Sequence, residues 1–136
     1  MPGTIVVADM EAGLEHLSWA GGTLRYVDVL LVIVQPTAKT MMTADRTWRL
    51  AVQLGIPTIA FVASRASGGD VDRMRAFAAE RGCELYGAVP DDDAVRSADR
   101  VSRCLLDTAP GSASVAAIGQ LADELEERFL HPQPVG

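Results

Sequence analysis

The chain has 136 residues, 49% of them hydrophobic and 22% charged, enough for one domain with a buried core and too apolar for a disordered tail. Its formal net charge is -6, with one lysine, Lys39, against eleven arginines in no basic run, which excludes a general nucleic-acid binder. No segment reaches the ~20 consecutive apolar residues of a membrane span, and the N-terminus lacks the basic-then-apolar order of a signal peptide. A cytoplasmic protein is expected. Cys83 and Cys104 lie 21 residues apart without Cys-x-x-Cys or histidine spacing, so they read as small thiols in a reducing compartment.

The elements alternate. Thr4–Ala8 is a short β-branched run ending at Asp9. Residues 12–20 carry Leu14 and Leu17 at helical spacing. Asp28–Val34 is continuously apolar and stops at Gln35-Pro36. Residues 40–54 place Ala44, Trp48, Ala51 and Leu54 on one helical face, with Gly55 as the stop. Thr58–Ala63 is the next strand. Residues 70–81 start at Asp70, an N-cap candidate, and stripe Val71, Met74, Phe77 and Ala78 before Gly82. Glu84–Val89 is a fourth strand. Residues 92–106 form a helix with Val95, Ala98, Val101 and Leu105 in line. Residues 113–130 form another, with Val115, Ile118, Ala122, Leu125 and Phe129 facing the core.

Continuous apolar strands alternating with helices predict a parallel α/β sheet covered on both faces, with right-handed crossovers. Residues 1–130 make one domain, and residues 131–136 a frayed tail. Sites in such sheets sit beyond the carboxyl ends of the strands. Those ends are Asp9, Gln35-Pro36, Ser64-Arg65 and Pro90-Asp91-Asp92, which therefore share one rim.

Asp9 followed by Gly13 suits a water-mediated Mg²⁺ ligand and a hinge; it equally suits a helix cap. Asp91-Asp92-Asp93 suits a divalent ion or, more simply, the positive end of a helix dipole. His16 has no second histidine or cysteine at ligand spacing, and His131 lies in the tail. Two histidines build no Ser/His/Asp or Cys/His constellation.

The string Asp9-Met10-Glu11-Ala12-Gly13-Leu14-Glu15-His16-Leu17 closely resembles the switch II segment of carbon monoxide dehydrogenase maturation ATPases. These are nickel-insertion factors within the deviant-Walker P-loop ATPases. Val27–Thr37 resembles their next core strand and its Pro-Thr turn, and Ala44–Ile56 the helix after it. Gly87-Ala88-Val89-Pro90-Asp91-Asp92-Asp93-Ala94-Val95 resembles their Pro-acid-acid turn, followed by Ala98-Asp99. The likeness runs from residue 4 to about 105, and loosely over the last helix.

The resemblance implies a P-loop NTPase-like fold and a metallochaperone role in the maturation of a metalloenzyme client, with ATP or ADP and Mg²⁺ as ligands. Asp9 would orient the Mg²⁺ shell and Gly13 would let switch II follow the γ-phosphate. Ser64, Arg65, Pro90 and Asp91 would bind the nucleotide's base. Ser64 stands where the family usually has Asn, and a hydroxyl lacks the paired donor and acceptor of an amide. Arg65 would stack on the base or stand as a solvated charge.

No Gly-x-x-x-x-Gly-Lys-[Ser/Thr] occurs in the 136 residues, and Lys39 has no glycine cradle. By the resemblance, the P-loop strand, switch I and paired cysteines would precede residue 1. The fold is therefore expected to be incomplete, lacking the P-loop strand, and the chain alone is expected not to hydrolyse ATP. Unpaired strand edges would be closed by Thr4–Ala8 pairing with Asp28–Val34, by a second copy, or by a separate P-loop-bearing chain. A homo-oligomer or such a partner is expected. The alternatives are a non-catalytic interaction module on a degenerate ATPase fold, or a piece of a longer reading frame.

Overall fold

A computed structural model describes residues 6–8 and 27–130. Its elements are β1 (Leu30–Val34), α1 (Ala38–Gln53), β2 (Ile59–Ser64), α2 (Gly69–Glu80), β3 (Leu85–Val89), α3 (Asp93–Arg100), α4 (Leu105–Thr108) and α5 (Ala113–Phe129). The three strands pair in parallel in the order β1-β2-β3. Parallel neighbours need a crossover, and α1 and α2 supply one each.

Register assigns the faces. Val32 stands opposite Phe61 and Val34 opposite Ala63. These four side chains are buried with Ala44 of α1 and Met74, Phe77 and Ala78 of α2. Phe61 and Phe77 meet edge to face, 5.4 Å between ring centres at 81°, an arrangement the ring quadrupoles favour. Ala44 and Ala51, both buried, give α1 a smooth side. A core built on alanine and valine is what a chain with 5% aromatics must use.

The opposite face is covered by α5. Gly87 lies under Leu121, whose Cδ1 would be 3.6 Å from a β-carbon added there. At the far end of α5, Arg128 forms an ion pair with Glu84 at 2.8 Å and lies 4.5 Å above the Tyr86 ring. Between Phe61 and Val62 the β2–β3 register slips, so Tyr86 is an extra residue, a β-bulge. At β1 no described helix covers this face, and Ile33 is 60% exposed.

The α/β reading, with a parallel sheet and helices on both faces, holds; several details change. Of the run Thr4–Ala8, residues 6–8 are described. They join no strand, pair with no described neighbour, and leave Val6 and Val7 exposed. An apolar run becomes a strand only where a ladder partner meets it. The helix expected over 92–106 breaks after Arg100. Ser102 takes φ +53°, and Ser102 and Arg103 N–H donate back to the Asp99 and Ala98 carbonyls. That is a Schellman end, and it leaves Val101 exposed rather than in a core stripe. Asp70 is not the N-cap of α2. The cap position is Gly68 and makes no side-chain bond, while Asp70 sits in the first turn and accepts weakly from Ser67 N–H at 3.5 Å. On α5 the expected stripe holds in part: Val115, Leu125 and Phe129 are half-buried. Ile118 and Ala122 are exposed, and Ser114 and Leu121 point inward, because α5 rests on one strand rather than on a broad sheet.

Candidate functional site at the carboxyl rim

All three strands end on one rim. After β1, Gln35-Pro36-Thr37 turns the chain into α1. Thr37 caps that helix, and the Thr40 hydroxyl donates to the Gln35 carbonyl at 2.6 Å. From α2, Arg73 donates to the Pro36 carbonyl at 3.0 Å and pairs with Asp70. This ties the first turn to the second crossover.

β2 ends at Ser64, in register with Val89. Arg65 then adopts φ +54°. A non-glycine residue in this left-handed region is uncommon and points to a local constraint. Ala66 is buried, and its N–H donates to the Val89 carbonyl at 3.1 Å. The kink at Arg65 thus lifts one side chain out of a backbone that otherwise stays paired.

β3 ends at Val89 and runs into Pro90-Asp91-Asp92. Arg65 Nε comes within 3.6 Å of Asp91 Oδ1. Arg96, one turn into α3, reaches the same oxygen at 2.8 Å and also pairs with Asp93. The hydrogen bond from Arg96, and then the charge of Arg65, hold the Asp91 carboxyl below its ordinary range. Asp92 is likewise held low, by backbone N–H groups: Oδ1 accepts from Ala94 at 2.9 Å and Oδ2 from Ser114 at 3.0 Å. One carboxylate therefore caps α3 and ties down the start of α5.

The rim brings Ser64, Arg65, Pro90 and Asp91 together, as the strand ends predict. Asp9, Gly13 and His16 lie outside the described residues. Each of the three consecutive acids has a partner within the chain. Asp91 and Asp93 face arginine and Asp92 faces amides, and among the described residues no three His, Cys, Asp or Glu side chains are grouped to hold a metal. Cys83 and Cys104 are free thiols; burial pushes the Cys83 thiol up.

Sequence reasoning missed Arg96, Arg73 and the double duty of Asp92. The Asp93–Arg96 spacing of three was a usable signal; the Arg73 and Ser114 contacts span the fold and had none. It also missed Arg81. That side chain lies 3.6 Å from the Phe77 ring centre and pairs with Asp45 at 2.8 Å. Arg81, Trp48, Ile59 and Tyr86 line a groove of about 460 Å³ at the amino ends of the strands. Open α/β sheets place their ligands at the other end, which favours the rim.

Over 110 residues the chain is 36% identical to the carbon monoxide dehydrogenase accessory protein CooC of Rhodospirillum rubrum, a match spanning 77% of this chain and 39% of that protein. The chain belongs to the CooC-like family of deviant P-loop ATPases. It is also 35% identical over 92 residues to an uncharacterised ATP-binding protein of Methanocaldococcus jannaschii, across 67% of this chain and 35% of that one. No family model matches it. Among solved structures, MinD of Aquifex aeolicus superposes with a TM-score of 0.65 at 15% identity, over 91% of this chain and 50% of that one. The cell division ATPase MinD of Pyrococcus furiosus gives 0.66 at 21%, over 88% and 50%. These two likenesses concern the fold. The chain spans under two fifths of the length of these two curated relatives and half of the MinD chains. No described helix is long and apolar enough to cross a membrane.

Proposed function

We propose that this CooC-like chain contributes the base-binding rim of an ATP-dependent maturation factor for a metalloenzyme centre, nickel being cargo rather than a resident ligand. The observation that carries this reading is the meeting of Arg65 and Asp91, 3.6 Å apart, at the ends of β2 and β3. A planar guanidinium offers a stacking surface for a base, the Pro90 ring a flat apolar one, and Asp91 an acceptor for an exocyclic amine. The Ser64 hydroxyl donates or accepts one hydrogen bond at the same end. The rim chemistry thus fits the base half of a nucleotide.

The phosphate half is not matched. Phosphate binding draws on successive backbone N–H groups and a cation at a helix start, and the 136 residues contain no Gly-x-x-x-x-Gly-Lys. Bound Mg-ATP supplies hydrolysis in proteins with a complete site. In this chain Asp9 would serve the Mg²⁺ shell and Gly13 the switch, with phosphate contacts coming from elsewhere. Titration calorimetry with Mg-ADP and Mg-ATP, beside a phosphate-release assay, tests this. The expected result is weak binding, with a Kd on the order of 1 mM (about 4 kcal/mol), and no turnover, since base contacts would act without phosphate contacts. Micromolar binding or measurable hydrolysis overturns the reading that the phosphate cradle is lacking.

A second reading, a non-catalytic interaction module, is favoured by Ile33 of β1, which is 60% exposed on a face that no described helix covers. Its partner is a second copy or a P-loop-bearing chain. Light scattering of the purified chain separates the two: a dimer mass favours the copy, a monomer mass the other chain.

A further inference from the structure

The two outer strands of the described sheet differ in how they end it. β3 is blunted: the register slip leaves Tyr86 as an extra residue in its ladder, with Gly87 next to it. Bulges of this kind keep an edge from pairing further. β1 has no such device. Its sequence, Leu-Leu-Val-Ile-Val, holds no charge, proline or glycine, and its register with β2 is unbroken. The ladder also tells which of its backbone groups are spare. Leu30 N–H donates to the carbonyl of Thr58, just ahead of β2, at 2.9 Å. Along a parallel strand, alternate residues turn their N–H and C=O to opposite neighbours. Leu30, Val32 and Val34 therefore serve β2, while Leu31 and Ile33 direct theirs outward. Among the described residues nothing pairs with that edge, and residues 6–8 lie in no strand.

We propose that β1 is the interface of a two-fold dimer, its open edge paired antiparallel with β1 of a second copy about Val32. The proposal rests on the interaction-module reading above and names its occupant. The register that opposes every residue of the strand is the one centred on Val32. It sets Leu31 opposite the partner's Ile33, and Ile33 opposite the partner's Leu31. These are the residues whose N–H and C=O point outward, and such opposed residues in an antiparallel ladder exchange both hydrogen bonds. Directly opposed side chains share a face, so half-buried Leu31 and exposed Ile33 of the two copies meet on the side away from α1. Identical strands oppose well only when they set no charge against itself, and this strand carries none. A patch that pairs with itself closes at two copies, and the two three-stranded sheets become one.

The test combines sedimentation equilibrium with amide hydrogen exchange by NMR, on the whole chain. A dimer is expected, with the β1 amides of both Leu31 and Ile33 protected. Ile33→Pro removes an outward donor and spares the β2 ladder, which takes nothing from that N–H. Its mass should fall by half; Leu31 should lose protection and Val32 keep it. Should the proline variant fail to fold, Ile33→Glu gives the same readout by placing a charge in the paired edge. A dimer that survives these substitutions overturns the proposal. A monomeric wild type whose Leu31 and Ile33 amides exchange freely also overturns it, and leaves the module reading with a different chain as partner. A monomer in which those amides are protected has covered its own edge, which removes the module reading together with the proposal.

Discussion

Asp91 and Asp92 are adjacent and differ in role because one faces side chains and the other faces backbone. Asp91 meets Arg96 and Arg65, an exposed arrangement in which each ion pair adds little to stability. Asp92 satisfies two N–H groups, on Ala94 and Ser114, that would otherwise stay unpaired. Asp92→Ala should therefore lower the thermal midpoint by several degrees, and Asp92→Asn, which keeps one acceptor oxygen, by less; calorimetric melts of the three proteins check this. Both carboxyls titrate below the ordinary 3.8. A depressed folded-state pKa gives stability that is complete above the ordinary value and lost as pH falls through the folded one. The gap in melting temperature between wild type and Asp92→Asn should thus be constant near neutrality and narrow below about pH 4. Of this site, Ser64, Arg65, Pro90 and Asp91 were legible because strand ends share a rim. Arg73 and Ser114 were not, since their partners lie 37 and 22 residues away.

Three helices end in the same way. Gly55, Ser102 and Gly82 each take positive φ and close a Schellman pair onto the preceding turn. The two glycines marked the ends of α1 and α2 in advance. The serine marked nothing, which is why α3 was read through to residue 106. An L side chain in this region costs energy that glycine avoids. Ser102→Gly should accordingly stabilise the fold by about 1 kcal/mol, seen as a higher urea midpoint with unchanged slope. The two exposed members of the α5 stripe have a different origin. Periodicity reports which side chains are apolar, and exposed Ile118 is as apolar as any buried one.

Across the whole molecule, burial is lopsided. Among the described residues, β2 is covered on both sides, with Ala60, Phe61, Val62 and Ala63 all buried, whereas β1 is covered on one. The weight of the core falls on the α1–α2 side, where Met74 is fully buried among Phe61, Phe77 and Val34. Met74→Ala should cost about 3 kcal/mol, measured by denaturant unfolding. Ile33→Glu should leave that stability nearly unchanged, because Ile33 faces solvent. If β1 carries a self-association surface, the same substitution should return the light-scattering mass to that of a monomer; persistence of the larger mass would place the contact elsewhere.

Few of α5's side chains are deeply buried, yet it is fastened at both ends to the strand beneath it. Asp92 holds its first turn, and Arg128 reaches Glu84 and Tyr86 from its last. A helix fixed only by its middle would fray from either terminus. One tethered at both termini must release as a whole. β3 and α5 should consequently behave as a single opening unit in native-state hydrogen exchange, their amides sharing one protection free energy despite the difference in burial. The rim turn lies inside that unit, so ligand pressure at Pro90–Asp91 would be felt along the full length of the helix.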